Sequence, residues 1–600
     1  MKPNLMILPL TALLTLSIGT AWASPTYKPG IYTASSPGIH GPVTVNVTFS
    51  KDHIEKIVVE NHTETEGIGT KAVELLPKRI IDTQAIAIDH VSGATITSNA
   101  IRSAVADCIK KAGVDPTSLV PLVIKKKITN RSLTTDVVVV GGGGSGMSAS
   151  IRARMNGLQV VLIEKMPYIG GAAAISGGQV VAQGSKLQKA FGSTQDSPDS
   201  MIKDFMANGN NLNDPEKLSL YAHNVGPTID WLHEQVGVKF VPNNLPYLAE
   251  YSHRRALEFQ GGAKTMAQHL RDVIANNGTH VIYNARVTKL LQDKSGKVIG
   301  VEASDSEGTK YTIKSQATLL ATGGFGNNKD MLSEPVKSAL YYGPVSSTGD
   351  GHKMAISLGA KTQLMQYGKR YPNGIEVAPG IAKSTIYANV GAFDNAGILI
   401  NVDGKRFVNE KASNRQILES MMKNKNKQAY VFMDQKSWEG FYKRLPETGV
   451  AHNDADKYLA ANGKQVPLFV TANTIESVAK LAGVDSRNLQ NTVNRYNNFV
   501  KTQKDDDFSR PTQYMRAEIS TDGPYYIVEQ KPRFATTMGG LCTDKNLNVI
   551  TQNGDPIPGL YAAGELVGGV MGDDSPAGAN VGWALTSGRI AADAITKAIR

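Results

Sequence analysis

Apolar and polar residues alternate through Val43-Thr44-Val45-Asn46-Val47-Thr48-Phe49, the period-2 pattern of a half-buried strand. After a polar turn, residues 54–59 predict a second strand. Helical spacing of apolar residues follows at 71–81 and at 98–112, the second run stopping at Gly113. The stretch from Asp115 to Thr135 holds Pro116 and Pro121 without sustained periodicity and reads as a linker. Beyond it the pattern changes. A continuous apolar run at 136–140 leads into glycines, a helix at 147–156 and a second buried run at 160–163, the opening of a doubly wound βαβ unit. The segment from Val281-Ile282-Tyr283 to Val298-Ile299-Gly300-Val301 predicts a β-meander, and 318–321 predicts a buried strand running into Thr322-Gly323-Gly324. After a different region at 365–525, the nucleotide-binding pattern returns at Gly559-Leu560-Tyr561-Ala562-Ala563-Gly564-Glu565 and closes with a helix at 584–599.

That order predicts an α/β chain in several pieces. A targeting segment fills 1–23, a small α+β domain 25–115 and a linker 116–134. A Rossmann-like domain takes 135–364 and 526–600, interrupted by an α+β cap at 365–525. A length of 600 residues calls for several cores rather than one.

Lys2, the apolar stretch 5–18 and Ala21-Trp22-Ala23 before Ser24 have the plan of a cleaved secretory signal. The apolar run is shorter than the ~20 residues of a membrane span. A soluble protein of the periplasm, with no membrane span, is expected. Cys108 and Cys542 are the two cysteines; far apart, they read as buried free thiols. A formal net charge of +11 suits anionic substrates or an acidic redox partner. Nucleic acid is not expected, because no basic helix or aromatic platform accompanies the charge. No histidine spacing suggests a metal, and Asp505-Asp506-Asp507 reads as an exposed charged turn.

The chemistry sits in two motifs. Gly141-x-Gly143-x-x-Gly146 follows a strand and opens a helix, and Glu164 stands at the tip of the next strand. The glycines permit a tight turn, close approach of a pyrophosphate and helix–strand contact, while the carboxylate accepts from ribose hydroxyls. Gly170-Gly171 and Ser176-Gly177-Gly178 offer bare backbone against which an isoalloxazine can pack, which favours FAD. The second motif is Asp89-x-x-Ser92-Gly93-Ala94-Thr95 before a helix. It resembles the acceptor sequence on which bacterial flavin transferases attach FMN through a phosphoester. The resemblance puts covalent FMN on Thr95, with Thr97 as the alternative.

The glycine motifs, Thr322-Gly323-Gly324, Thr348-Gly349-Asp350-Gly351 and the Gly564-Glu565 return resemble, over about 135–600, the flavoprotein subunits of fumarate reductases and succinate dehydrogenases. With the leader and the FMN motif, the chain is more similar still to periplasmic soluble reductases of the fumarate, urocanate and methacrylate type. That resemblance implies electrons arriving from a cytochrome c or a quinol-linked donor, non-covalent FAD, and hydride delivery to an activated C=C bond with an arginine as proton donor. The family arginine follows a Gly-x-Arg-Phe-x-Asn-Glu segment, intact here as Gly404 to Glu410. Asn414 stands at the usual spacing and Arg415 one residue later, so Arg415 is the expected acid.

Three further positions depart from the family pattern. Tyr371-Pro372 stands for its His-Pro pair, Ala535-Thr536 for the His before Thr-Met-Gly-Gly, and Ser575 for an arginine. Without that His and Arg a dicarboxylate loses its charge-assisted bidentate grip. Tyr371, Thr536 and Ser575, with Arg254 of Tyr251-Ser252-His253-Arg254-Arg255 as a compensating cation, therefore predict a site for an acrylate-like or (hetero)aryl-acrylate substrate. Two other readings stand beside it. Ala577-Gly578-Ala579-Asn580-Val581-Gly582 is somewhat similar to ketosteroid dehydrogenases, which implies an enone substrate. Alternatively the chain is an electron-transfer flavoprotein whose substrate site has decayed.

Overall fold

The computed structural model describes residues 25–38, 41–64, 69–91, 94–119, 121–122, 128–248 and 250–600. The leader at 1–23, the lysine run at 125–127 and Ser92-Gly93 lie outside the described residues. The chain divides into two compact units, residues 1–125 and 126–600.

In the first unit, strands Gly30–Pro37, Pro42–Phe49 and Ile54–Asn61 form an antiparallel sheet in chain order. Val43, Val45, Val47 and Phe49 point inward and share a core with Ile101, Val105 and Ile109 of the helix Thr95–Lys111. A second helix, Gly69–Thr83, completes the layer. The first strand is invisible to apolar periodicity because only Ala34 of it is buried; main-chain pairing with Pro42–Phe49 fixes it instead. Leu119, from the predicted linker, joins the same core.

The second unit is built on a mostly parallel sheet. Thr309–Leu320, Thr129–Val140, Val160–Ile163 and His280–Ile282 run side by side, and Pro556–Ala562 pairs parallel with Thr309–Leu320 on the other flank. Two expectations change here. The strand expected over 136–140 begins at Thr129, inside the predicted linker, because its polar first half is held by parallel pairing with Thr309–Leu320 rather than by burial. Val281-Ile282 belongs to the parallel sheet rather than to the meander, whose strands are Ala285–Gln292, Val298–Asp305 and Thr309–Leu320. The long helix Ala579–Ile599 packs against the helix Gly144–Met155 that follows the glycine loop. Gly588 makes that approach possible, since a Cβ there would lie 2.2 Å from the Ser145 carbonyl oxygen.

The cap carries its own sheet, centred on the 13-residue strand Tyr525–Thr537. Gly368–Ala378 and Ala429–Asp434 flank that strand, both antiparallel to it. It runs on without a break toward the returning nucleotide-binding segment. In the cap interior Arg406 is bound by Glu410 (2.8 Å) and Asp505 (2.9 Å). Asp505 is therefore buried, not part of an exposed turn. The intact Gly404–Glu410 segment owes its charges to this network.

Candidate active site

Above the carboxyl ends of the parallel strands lies a cavity of about 960 Å³, the usual ligand position in such sheets. Its wall includes Gly141, Gly143, Glu164, Gly171, Ser176, Gly177, Thr322, Gly323, Asp350 and Glu565. The three glycines of the loop differ in what they permit. At Gly141 (φ +100°) a Cβ would meet the Ala321 carbonyl oxygen at 2.5 Å, and at Gly146 the Gly141 carbonyl oxygen at 1.9 Å. At Gly143 nothing lies within 4 Å. Two glycines thus serve packing, and one leaves open space beside the amino end of a helix, where a pyrophosphate is stabilised. Gly324 and Gly564 lie behind the wall, packed on Glu565 and Ser145. Gly170 and Gly178 adopt positive φ in the turns that carry Gly171 and Gly177.

Glu164 accepts from the amides of Gly142 (2.7 Å) and Met166 (2.8 Å), which fixes its carboxylate at the strand tip. Burial pushes its pKa up against those hydrogen bonds. Asp350 is half-buried, but Arg286 and Lys165 hold its carboxyl down to about 2. Glu565 accepts from the Thr537 amide (2.9 Å) and hydroxyl (3.0 Å), and burial pushes it up to about 7. The Thr322 hydroxyl is buried with no partner. An open glycine cradle, a fixed ribose-level carboxylate and an orphaned hydroxyl in one wall fit FAD.

The same cavity is bounded by cap residues. Tyr371, Lys369, Arg533, Asn414, Thr536 and Ser575 all line it. Across the strand pair Gly368–Ala378 and Tyr525–Thr537, Lys369 opposes Thr536 and Tyr371 opposes Arg533, with Ala535 as an extra residue in the longer strand. Such a bulge re-aims the side chains beside it. Here it leaves Lys369, Tyr371 and Arg533 all facing the cavity. The Arg533 guanidinium lies 4.5 Å from the Tyr371 ring centroid and 4.2 Å from that of Tyr342. Lys369 lies 5.1 Å from the same Tyr371 ring, 3.3 Å from Asp574, and donates to the Ser575 carbonyl. Burial alone would lower the Lys369 pKa, but Tyr371 and Asp574 raise it. The Tyr371 hydroxyl is pushed up by burial, with Lys369 opposing.

Two expected site residues lie elsewhere. Arg254 is exposed, donates to the Leu245 carbonyl (2.9 Å) and stacks over Tyr247, so it brings no cation to the cavity. Its neighbour Arg255 is buried by Asp196 and Asp204. Arg415 is outside the cavity wall. Its Nη2 donates to the Asn208 carbonyl (2.7 Å) and pairs with Asp573 (3.2 Å) and Asp574 (3.3 Å). One step along a helical turn points side chains about 100° apart, so at the amino end of Asn414–Met421 the cavity receives Asn414 and the acidic loop receives Arg415. Sequence reading missed Lys369 and Arg533. Both flank recognised positions, but only pairing across the sheet brings them to Tyr371.

In the first unit, Thr95 is exposed at the first turn of its helix, whereas Thr97 is buried and donates to Glu64.

A parallel sheet with this glycine loop, interrupted by a cap that closes the cavity, defines an FAD-dependent oxidoreductase. The FAD binding domain family matches residues 136–581, and the FMN-binding domain family matches 38–110. The chain is 30% identical to a urocanate reductase of Eggerthella lenta over 571 residues, covering 93% of this chain and 91% of that one. It is 32% identical to a fumarate reductase (cytochrome) of Shewanella frigidimarina, covering 77% of each. Among solved structures, the open conformation of a flavocytochrome c3 fumarate reductase superposes with a TM-score of 0.63 at 28% identity, covering 78% of each chain. The chain belongs to the fumarate/urocanate reductase family of FAD-dependent oxidoreductases that carry an N-terminal FMN-binding domain.

Proposed function

We propose that this protein is an exported diflavin reductase of anaerobic respiration. It passes electrons from FMN, esterified to Thr95 by a flavin transferase, to FAD and on to the C=C bond of an acrylate-like or (hetero)aryl-acrylate compound such as urocanate. The electron donor is a periplasmic cytochrome c or a quinol-linked protein. Relatives named for urocanate, fumarate and acrylate reduction support the reaction class. No helix among the described residues is long and apolar enough to cross a membrane. Exposure of Thr95 and burial of Thr97 favour Thr95 as the flavin site.

The observation that carries the substrate reading is Tyr371, a ring with a hydroxyl in the cavity wall and two cations, Lys369 and Arg533, close to it. Bound FAD would be held by the Gly141–Gly146 loop, Glu164, Thr322 and Glu565, and would supply a hydride. The chain's own part is to orient the alkene against Tyr371, exclude water, and deliver a proton from the Tyr371 hydroxyl to the carbon next to the one that receives hydride. Neighbouring cations ease loss of that proton by stabilising the phenolate left behind. Arg415 is tied to Asp573 and Asp574, which leaves Tyr371 better placed than the expected Arg415. A walled cavity with oriented polar groups argues against a decayed site, and a buried guanidinium in that wall argues against an uncharged enone.

The test is turnover by the diflavin protein with reduced viologen and urocanate, cinnamate, methacrylate, fumarate or an enone. Aryl acrylates are expected to be reduced fastest. Fumarate turnover equal to theirs would overturn the substrate reading.

A further inference from the structure

Arg533 is 2% exposed, yet among the described residues no carboxylate pairs with it. Its Nε donates to the Asn373 carbonyl (3.1 Å) and side-chain oxygen (3.0 Å), and Nη2 to that same Oδ1 (2.6 Å). Nη1 is buried with no partner at all. Tyr342 and Tyr371 cover the guanidinium at 4.2 and 4.5 Å from their ring centroids, and the residue lines the cavity. Among the described residues the other cations of the wall are paired: Lys369 with Asp574, and Lys165 and Arg286 with Asp350. Arg370, next to Lys369 on the strand, also leaves its Nη1 buried without a partner but lies outside the wall. An isolated buried charge costs several kcal/mol unless it is paired. A cation so placed is complemented by an anion.

We propose that Arg533 grips the single carboxylate of the substrate, and that the site thereby selects monoanionic acrylates over dianions. This rests on the reading that the cavity reduces an acrylate. In the cavity wall, one cation without a carboxylate partner matches one substrate carboxylate; a second carboxylate would meet the neutral Ser575 and Thr536. Asn373 is the positioning residue. Its oxygen holds two guanidinium nitrogens, and its amide donates to Asn414 Oδ1 at 3.1 Å. Asn414 occupies the position where the family resemblance expects an arginine. Asn373 thus links the Asn414 position to Arg533.

The experiment uses the oxidised diflavin protein and reads the shift of the bound-flavin absorption as ligand is added. Probes are trans-cinnamate, its neutral amide cinnamamide, and fumarate. Arg533→Gln is expected to weaken cinnamate on the order of 100-fold and to leave cinnamamide unchanged. Arg533→Lys, which keeps the charge, should recover most of the affinity and covers the case in which the glutamine variant does not fold. Wild-type protein should bind fumarate at least tenfold more weakly than cinnamate. Cinnamate binding within threefold of wild type in Arg533→Gln would overturn the proposal, as would equal affinity for fumarate and cinnamate. A lowered flavin potential in that variant, with cinnamate binding intact, would assign the arginine to the reduced flavin instead and equally overturn it. The two readings fail separately. If wild type reduces no acrylate but loses cinnamate affinity on Arg533→Gln, the reductase reading falls and the carboxylate grip stands.

Discussion

Tyr371 and Arg533 are direct partners across two antiparallel strands, and the guanidinium of one lies 4.5 Å from the ring centroid of the other. Cross-strand contact of this kind fixes both side chains with few rotamers to spare. It also ties a proton-bearing hydroxyl to a cation in the cavity wall. The bulge at Ala535 sets the register, so the pair depends on one extra residue in the long strand.

Removing only the Tyr371 hydroxyl separates chemistry from packing. Tyr371→Phe keeps the ring against Arg533 and Lys369 and should lower turnover on the order of 100-fold, with flavin content and cinnamate binding little changed. Stopped-flow reoxidation of reduced enzyme by substrate measures this directly. Reoxidation at the wild-type rate would mean that the proton comes from another group.

Arg415→Ala should behave as a loop-anchor variant. The side chain is 31% exposed and its partners are the loop carboxylates Asp573 and Asp574. A loss of about 1 kcal/mol in stability is expected, with turnover within tenfold of wild type. Turnover abolished while flavin reduction persists would restore Arg415 as the acid.

The glycine loop gives a contrast between two similar substitutions. Gly146→Ala puts a Cβ 1.9 Å from the Gly141 carbonyl oxygen and should destabilise the unit by several kcal/mol. Gly143→Ala meets no protein atom within 4 Å, so the chain should fold normally yet retain less FAD. Thermal melts beside flavin-to-protein ratios after gel filtration check both.

Flavinylation is expected at Thr95. Protein produced with a flavin transferase should carry covalent FMN by intact mass, and Thr95→Val should lose it. Thr97→Val should keep the flavin but lose stability, because the buried Thr97 hydroxyl donates to Glu64. Loss of FMN from the Thr97 variant alone would reverse the assignment.

Glu565 makes stability depend on pH. Its folded pKa, about 7, lies above the ordinary 4.5, so the folded chain holds the proton more tightly than the unfolded chain does. Stability contributed by the protonated form is present below pH 4.5 and is lost as pH rises through about 7, by about 3 kcal/mol in all. Glu565→Gln should flatten the melting temperature between these limits. An unchanged slope would show that Glu565 does not titrate there.

How much of this was legible beforehand differs by element. Buried parallel strands announce themselves as unbroken apolar runs, so Val137–Val140 and Val160–Ile163 could be read, as could the glycine loop between them. Gly30–Pro37 and the first half of Thr129–Val140 could not, because pairing rather than burial holds them. The same limit applied to the site. Glu164, Thr322 and Glu565 follow from local motifs whose geometry is set within a few residues. Arg415 and Arg254 follow from position within the family pattern, which does not tell which way a side chain turns at a helix start or in an exposed loop.

Local sequence patterns were enough for the nucleotide-binding architecture, the inserted cap and the two flavin-domain motifs. These are local patterns, each carried by a short run of chain. Only the tertiary structure decided which charges face the cavity. Lys369, Tyr371 and Arg533 come together across a strand register, Asn373 joins Arg533 to Asn414, and Asp573 and Asp574 draw Arg415 away. Such choices follow from pairing and charge balance between segments distant in the chain, most of them more than 100 residues apart, and no local pattern encodes them.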